Sequence, residues 1–403
     1  MKKIYALCIA AVVLLSCVKT ADAIPAFARK YSMSCLTCHN PIPRLKPYGD
    51  NFAGAGFRLS DRDAPRYYQK TGDQLLNLVR DFALAVRMDG FISYEQYQDA
   101  EGDGSDFKTP FLMKLMSGGA ISKHLSYYFY FYLFEQGEVA GVEDAYLMYN
   151  NLFDIDLDIY LGQFQASDPM FKRELRLTLE DYYIYTVTPG ISDINLKYEK
   201  GLMMTYGTDF GTTLVAELVN GNGIGEADER WRFDKDKYKD FLGRVSQNIG
   251  KYVRAGAFVY AGKEALLPGS ETPAVNDALM WGPDLSVSYN EILQLNLQYL
   301  HRTDSRVLTE AGTGGPDFED VTTQGGFGEL IYMPKGDRSR WYLVGLYNWT
   351  DSDVDTYDYE SATFHAGYII RRNVRLVSEF TYRFETSETD KFWRTSLGFV
   401  AAF

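Results

Sequence analysis

The chain has 403 residues, a formal net charge of −13 and an aromatic content of 15%, with 31 Tyr and 25 Phe. This acidic balance argues against a nucleic-acid partner, because binding to phosphates needs a basic face. The aromatic content is typical of β-strands and of proteins at a membrane interface rather than of a soluble enzyme.

Residues 1–23 form a predicted signal peptide. Lys2 and Lys3 give a positive start, an apolar run follows over 4–15, and Ala21–Ala23 fits the cleavage pattern. Leu14–Cys17 also resembles a lipid-attachment box, so a lipid anchor is the alternative. No later stretch has the roughly 18 apolar residues of a membrane-spanning helix. A location in a membrane would therefore require a closed β-barrel.

The segment Cys35–His39 reads Cys-Leu-Thr-Cys-His, which is the C-x-x-C-H pattern of covalent c-type haem attachment. The two thiols would add to the haem vinyl groups, and His39 would bind the iron as proximal ligand. A disulfide is possible in an exported protein, but it would leave His39 without a role. A thioredoxin-like site needs a βαβ context, and a zinc site needs four ligands. The sequence therefore predicts one covalent haem c on Cys35, Cys38 and His39.

Residues 24–80 are the predicted mono-haem cytochrome c segment. So short a segment cannot bury a macrocycle by itself, because small domains struggle to form a core. The rest of the chain must shelter the haem. We therefore predict that this segment plugs the lumen of a barrel formed by residues 81–403.

Period-two alternation recurs from Phe82 onward, with apolar residues on one face of each strand and polar residues on the other. In Leu293–Gln298, for example, Leu alternates with Gln or Asn. About sixteen strands are predicted, with fourteen or eighteen as alternatives, and short turns alternate with longer loops. This pattern predicts an all-β fold, a transmembrane antiparallel barrel; a soluble all-β protein is the alternative. In the longest loop, 164–201, Asp168 and Pro169 are a plausible helix start, so the loop is either a helix in the lumen or an ordinary external loop.

The start of the mature chain resembles the fused cytochrome–porin family, in which a very small mono-haem segment is joined to an outer-membrane porin. The resemblance rests on Ile24–Arg29, the C-x-x-C-H motif, and a set of residues after it: Pro43, Leu45, Tyr48, Gly49, Phe52, Gly56 and Phe57. It implies a bacterial outer-membrane cytochrome of the iron-oxidising type, with the haem segment facing the periplasm or the lumen. It also implies electron transfer from extracellular Fe(II) or another external donor to a periplasmic c-type cytochrome, with Fe(II) oxidation as the corresponding activity.

The sixth haem ligand has three candidates, since His and Met are the usual choices. His365 shares the polar face of its predicted strand, His124 lies at a short turn near the entry point of a plug, and Met33 is two residues before Cys35. An open position holding water is the alternative. Basic residues that could pair with the haem propionates are Arg29, Lys30, Arg44 and Lys46, although solvated charges would look the same.

Carboxylates cluster in two predicted external loops, where hard oxygen ligands suit divalent cations. The residues concerned are Asp99, Glu101, Asp103, Asp106, Asp351, Asp353, Asp355, Asp358 and Glu360. These clusters either attract a cationic donor or simply keep the loops solvated. Two functions of different classes remain: electron transfer across the outer membrane, and a diffusion porin with a structural or gating haem plug. A soluble or lipid-anchored periplasmic cytochrome is a third.

Overall fold

The computed structural model describes residues 26–59, 68–69, 71–76, 78–79, 82–97, 103–139, 141–266, 274–312, 315–384, 386 and 391–403. The predicted signal peptide over 1–23, together with Asp99 and Glu101, lies outside the described residues.

Residues 26–59, hereafter the plug, form two short helices, α1 (Ala26–Tyr31) and α2 (Pro47–Gly54), with a 3₁₀ turn at Cys35–Thr37 between them. Pro47 begins α2, where its fixed φ suits the first helical turn and its missing N–H costs nothing. Aromatic rings form a small core: Phe27 stacks on Phe57 at a centroid distance of 5.0 Å, and both meet the edge of Phe52. Two short strands follow, β1 (Tyr68–Gln69) and β2 (Leu78–Val79), which pair with each other.

Within the described ranges, sixteen further strands form one closed barrel in which every neighbouring pair is antiparallel. The strands are β3 Leu84–Tyr97, β4 Gly104–Ala120, β5 Leu125–Glu135, β6 Gly141–Tyr149, β7 Leu157–Gln165, β8 Tyr198–Gly207, β9 Thr212–Val219, β10 Asp240–Ile249, β11 Val253–Leu266, β12 Ala274–Tyr289, β13 Leu293–Gly312, β14 Gly315–Tyr332, β15 Trp341–Ser352, β16 Tyr359–Arg371, β17 Val374–Arg383 and β18 Phe392–Ala402. The barrel closes where β18 pairs with β3, in a register running from Phe392↔Tyr97 to Ala402↔Arg87. The predicted all-β barrel of about sixteen strands is confirmed.

The two faces of the barrel wall differ in polarity as a transmembrane barrel requires. On β17, Leu376 and Phe380 are exposed on the outside, whereas Glu379 and Thr381 are buried inside. This arrangement gives an apolar outer surface for lipid and a polar lumen. Of the helices in the described ranges, none has the length and the apolar run needed to cross a bilayer.

The connection between β7 and β8, residues 166–197, folds into the lumen and is called the lumenal segment here. It crosses to the opposite wall, where Tyr185 Oη donates to Gln298 Oε1 at 2.8 Å and Leu179 N donates to Glu379 Oε2 at 2.7 Å. It contains 3₁₀ turns at Arg173–Leu175 and Tyr183–Tyr185 and no α-helix. The helix that Asp168 and Pro169 suggested does not form, because side chains of the wall satisfy backbone groups that a helix would have paired internally.

The plug lies in the lumen at the end of the barrel where the connections are short. Arg29 Nη2 donates to Leu84 O at 2.6 Å, at the start of the first barrel strand. Asn150 Nδ2 donates to Gly54 O at 2.9 Å, and Lys46 forms an ion pair of 2.8 Å with Asp337. These contacts join the plug to strand ends on widely separated parts of the wall.

Candidate functional site

The Cys35–His39 motif is shaped by a single 3₁₀ turn. Ser34 Oγ accepts a hydrogen bond from Leu36 N at 3.3 Å, and Cys35 O accepts from the backbone N–H groups of Cys38 and His39 at 3.2 and 2.8 Å. Cys35 and Cys38 are free cysteines rather than a disulfide. Burial raises the pKa of both thiols, that of Cys38 to about 11, so both are neutral at physiological pH.

The imidazole of His39 is oriented by the backbone that follows it. Its Nδ1 lies 2.9 Å from Pro43 O, and because a carbonyl oxygen only accepts, Nδ1 carries the proton. The lone pair is therefore on Nε2. Burial lowers the pKa of His39, which keeps the ring neutral. A neutral imidazole whose second nitrogen is held by a carbonyl has the arrangement of a metal ligand with its supporting partner.

Helix α2 packs directly against the motif through a glycine. A Cβ added at Gly49 would lie 2.4 Å from Cys38 O, so any side chain would force the helix away from the motif. Lys46 N also donates to Cys38 O at 2.8 Å. Only glycine permits this close approach, which ties α2 to the cysteines.

A cavity of about 1380 Å³ opens beside the motif, between the plug and the wall. The plug contributes Met33, Cys35, Cys38 and His39 together with aromatic side chains, and the lining is mostly apolar. The wall contributes apolar and aromatic residues that sequence reasoning did not identify: Val86, Met116, Tyr128 and Tyr146. Tyr128 stacks on Phe57 of the plug at 5.0 Å, which joins the two surfaces.

The opposite end of this cavity, hereafter the haem-candidate cavity, is charged. Lys114 of β4 forms an ion pair of 2.8 Å with Glu174 of the lumenal segment, and Tyr132 Oη donates to the same carboxylate at 2.8 Å. Burial alone would raise the pKa of Glu174, but Lys114 and Arg176 hold it below its usual range. Burial raises the pKa of Asp168 to about 6, and nearby Glu174 adds to the effect. The cavity is thus apolar beside the cysteines and ionic towards the lumenal segment.

The three predicted sixth ligands lie in different places. Met33 lines the haem-candidate cavity together with His39. Neither His365 nor His124 is among the described residues that line this cavity. His365 is buried in the wall, with Nδ1 2.9 Å from Glu379 Oε2 and Nε2 3.2 Å from Tyr342 Oη. His124 lies at its turn with Nδ1 2.9 Å from Asn150 O. The structure therefore brings Met33, and not these two histidines, to the motif.

The four basic residues of the plug that could pair with haem propionates make different contacts. Lys46 pairs with Asp337, Arg29 with the carbonyl of Leu84, and Lys30 Nζ lies 5.0 Å from the ring centroid of Tyr31. Arg44 does not line the haem-candidate cavity: its Nη1 donates to Asn40 O at 2.6 Å, and its side chain lines a cavity that adjoins it.

The second acidic loop, around β15 and β16, uses its carboxylates to hold its own backbone. Asp353 Oδ2 accepts from Thr322 N at 2.7 Å, and Asp358 Oδ1 accepts from Ser352 N at 2.9 Å. Asp103 similarly accepts from Tyr97 N at 2.7 Å. Among the described residues, no group of three or more His, Cys, Asp or Glu side chains is arranged to hold a metal ion.

The fold of the barrel is similar to that of outer-membrane porins and channels of known structure. No protein-family model matches the chain, and no curated protein matches it. The structure is similar to the anion-selective porin from Comamonas acidovorans, with a TM-score of 0.56, 12% identity, and coverage of 80% of this chain and 99% of that one. It is similar to the outer-membrane channel DcaP of Acinetobacter baumannii, with a TM-score of 0.56, 14% identity, and coverage of 80% and 97%. It is also similar to OmpT of Vibrio cholerae, with a TM-score of 0.53, 10% identity, and coverage of 80% and 97%. At these identities the likeness establishes the fold alone.

Proposed function

We propose that this protein is an outer-membrane mono-haem c-type cytochrome that transfers electrons across the bacterial outer membrane. The observation that carries the proposal is the C-x-x-C-H motif at a large apolar cavity. There, two free thiols and a neutral imidazole line the same space. Such a cavity is the shelter that a plug of this size cannot supply alone.

The residues present fit a covalently bound haem. Cys35 and Cys38 would carry the thioether bonds, and His39 would bind the iron through Nε2 while Pro43 O holds its other nitrogen. Met33 is the candidate for the sixth position, because it lines the same cavity. When bound, the haem supplies reversible one-electron chemistry. The chain's own contribution is an apolar surround that excludes water and, with Met33 as ligand, a raised potential.

The position of the plug supports a direction for the electron. Short turns of outer-membrane barrels face the periplasm and long loops face outward, so the plug would lie at the periplasmic end. This position would allow electron exchange with a periplasmic c-type cytochrome, and we propose it as the acceptor, with an external donor such as Fe(II) as the source. The apolar outer surface fits membrane lipid, and the acidic outer loops would concentrate a cationic donor.

A second candidate function is a diffusion porin in which the plug is structural or gates the pore. It is favoured by a further cavity of about 1930 Å³, which lies beside the plug and is lined by charged residues of both the plug and the wall. The structural neighbours include a protein described as an anion-selective porin. Barrels of about sixteen strands are wide enough to leave an aqueous channel.

The experiment that tests the proposal is stopped-flow visible spectroscopy. The full-length protein, matured with a cytochrome assembly system and purified in detergent, is oxidised and mixed with Fe(II). Rapid formation of a reduced c-type spectrum supports electron transfer from iron. Reduction by dithionite but not by Fe(II) keeps the cytochrome and removes iron as donor, whereas the absence of any haem spectrum overturns the proposal.

Conductance in planar bilayers separates the second candidate from the first. Large, steady currents through the haem-loaded protein would favour the diffusion porin, because a sealed conduit passes few ions. A matched Cys35→Ala/Cys38→Ala protein, which cannot attach haem, shows whether any current depends on the cofactor.

A further inference from the structure

Two arginine side chains near the plug have no carboxylate partner. Arg44 of the plug is 9% exposed, and its Nε has no hydrogen-bond acceptor. Arg254 of β11 is half-buried, its Nε is likewise buried without an acceptor, and its Nη2 reaches only Met170 O at 3.5 Å. Within the described residues, neither forms an ion pair. A buried guanidinium without a counter-charge is costly, and such groups are normally paired.

Both arginines line one cavity of about 600 Å³, between the plug, the lumenal segment and the wall. This cavity adjoins the haem-candidate cavity, since the two share Leu45, Asp168, Lys172 and Leu175 in their linings. The composite space is therefore apolar beside Cys35 and Cys38 and charged in the adjoining cavity, where four cationic side chains stand against three carboxylates: Arg44, Lys172, Arg176 and Arg254 against Asp50, Asp168 and Glu329.

Three of the nearby carboxylates have other partners. Asp50 pairs with Lys172 at 3.3 Å, and Glu329 accepts from Asn296 Nδ2 at 2.7 Å. Asp284, on the neighbouring strand, takes two hydrogen bonds from Arg244 at 2.6 and 3.1 Å. Among the described residues, Arg44 and Arg254 therefore line this cavity without a carboxylate at ion-pair distance, and the Nε atom of each has no acceptor. Burial lowers the pKa of Arg44, and the more distant carboxylates of Glu291 and Glu329 offset this only in part.

We propose that Arg44 and Arg254 receive the two propionate carboxylates of the haem, one from the plug side and one from the barrel wall. The inference rests on the proposed function, and it deepens it by naming the residues that bind the polar edge of the cofactor. A haem is an apolar ring with two carboxylates on one edge, which matches an apolar cavity that opens onto two unpaired guanidiniums. Arginine is suited to this task because its planar fork binds a carboxylate through two parallel hydrogen bonds.

This assignment gives the cofactor a mechanical role as well as an electronic one. Arg44 belongs to the plug and Arg254 to the wall, so a haem held by both would join the two parts of the molecule. Each positive charge beside a propionate also favours the reduced haem, which carries one more electron. Removal of either guanidinium should therefore lower the midpoint potential and loosen the plug.

The test compares Arg44→Gln and Arg254→Gln with a control, Lys251→Gln, in the haem-loaded full chain. Lys251 is exposed and lines the neighbouring 1930 Å³ cavity, which both arginines also line, but it does not line the 600 Å³ cavity that adjoins the haem-candidate cavity. We expect the midpoint potential to shift to more negative values in both arginine variants and to stay in place in the control. Arg254→Lys, which keeps the charge, should restore most of the potential.

A second readout does not depend on electron transfer. In the haem-loaded protein each arginine variant should lower the melting temperature. In the Cys35→Ala/Cys38→Ala protein the same change should leave the melting temperature unchanged or raise it, because it removes an unpaired buried charge. Equal effects in both backgrounds, or potentials equal to that of the control, would overturn the assignment while the c-type spectrum still supported the cytochrome. Absence of that spectrum in the unsubstituted protein would overturn the proposed function and this inference together.

Discussion

The two sides of the barrel lumen differ in packing and in how their buried charges are paired. On the side of β13–β17, the lumenal segment packs tightly against the wall, and Ile194 and Leu196 are almost completely buried. There Arg302 pairs with Asp304 and also donates to Val187 O and Ile194 O at 2.9 and 2.8 Å. On the side of the plug, an apolar cavity of about 1380 Å³ adjoins a smaller one lined by Arg44 and Arg254, which form no ion pair with any described residue.

This difference distinguishes a part of the lumen that stabilises the fold from a part that could bind a ligand. The guanidinium of Arg302 is fully hydrogen-bonded, to Asp304 and to the lumenal segment. A satisfied buried network of this kind is rigid, so this part of the lumen acts as a frame. A large apolar cavity beside unpaired cations is costly unless a ligand fills it, so the plug side has the properties of a binding site. The following variants test the comparison, beginning with the largest expected effect on stability.

Arg302→Leu tests the frame. The substitution leaves Asp304 buried without its cation and removes donors from two carbonyl groups of the lumenal segment. Removing one partner of a buried ion pair costs roughly 3–5 kcal/mol. We expect a loss of this size in the free energy of unfolding, measured by urea titration in detergent micelles. The control is Lys263→Leu, which breaks an exposed pair with Asp277 and should change little. An equal loss of unfolding free energy in the two variants would contradict the view that the buried Arg302 network stabilises the fold more than an exposed ion pair does.

Phe57→Ala tests how the plug is held. Phe57 is stacked between Phe27 and Tyr128, both at 5.0 Å, and its removal should cost about 3 kcal/mol of local packing. Because the loss falls on plug docking rather than on the barrel, we expect faster proteolysis of the plug and higher bilayer conductance, with the barrel still folded. Phe153→Ala, at an exposed turn, is the matched control. Unchanged proteolysis in Phe57→Ala would mean that other contacts hold the plug.

Asp168→Asn tests the ionic end of the haem-candidate cavity. Burial raises the pKa of Asp168 to about 6, above the value of about 4 expected in the unfolded chain. Stability from this preference for the protonated form is complete below about pH 4 and is lost as the pH rises through about 6. The variant should therefore be more stable than the native protein by roughly 1–2 kcal/mol near pH 8 and equal to it near pH 4. Urea unfolding at both pH values measures this, with exposed Asp209→Asn as control. A gain that does not depend on pH would refute the assignment.

Met33→Leu should have the smallest effect on stability and tests the sixth ligand. Leucine keeps most of the packing, because such swaps conserve volume. If Met33 binds the iron, the visible spectrum changes and the midpoint potential falls. His365→Phe and His124→Phe should leave both unchanged, since neither side chain lines the cavity. A shift in either histidine variant with none in Met33→Leu would contradict this choice.

Several features could be predicted from the sequence because their causes are local. Period-two alternation between turns reveals a strand without knowledge of its neighbours, so the sixteen-strand barrel could be expected. The chemistry proposed for Cys35–His39 depends on spacing within five residues, so the proposed haem anchors stand out in any fold. The β5 sequence was ambiguous: Tyr128, Tyr130 and Tyr132 face the lumen, but Phe129 and Phe131 alternate with them, and two aromatic faces do not reveal which one is inside.

Only the tertiary structure decided which distant residues meet. Phe57 contacts Tyr128, and Arg302 binds the backbone at Val187, because barrel closure and strand register bring these parts of the chain together. The same closure placed Met33 at the cavity and His365 inside the wall, although the sequence predicts both as candidates for the sixth haem ligand. The motif and the alternation follow from chemistry between chain neighbours. The cavity and its unpaired arginines depend on contacts across the lumen, which no local pattern records.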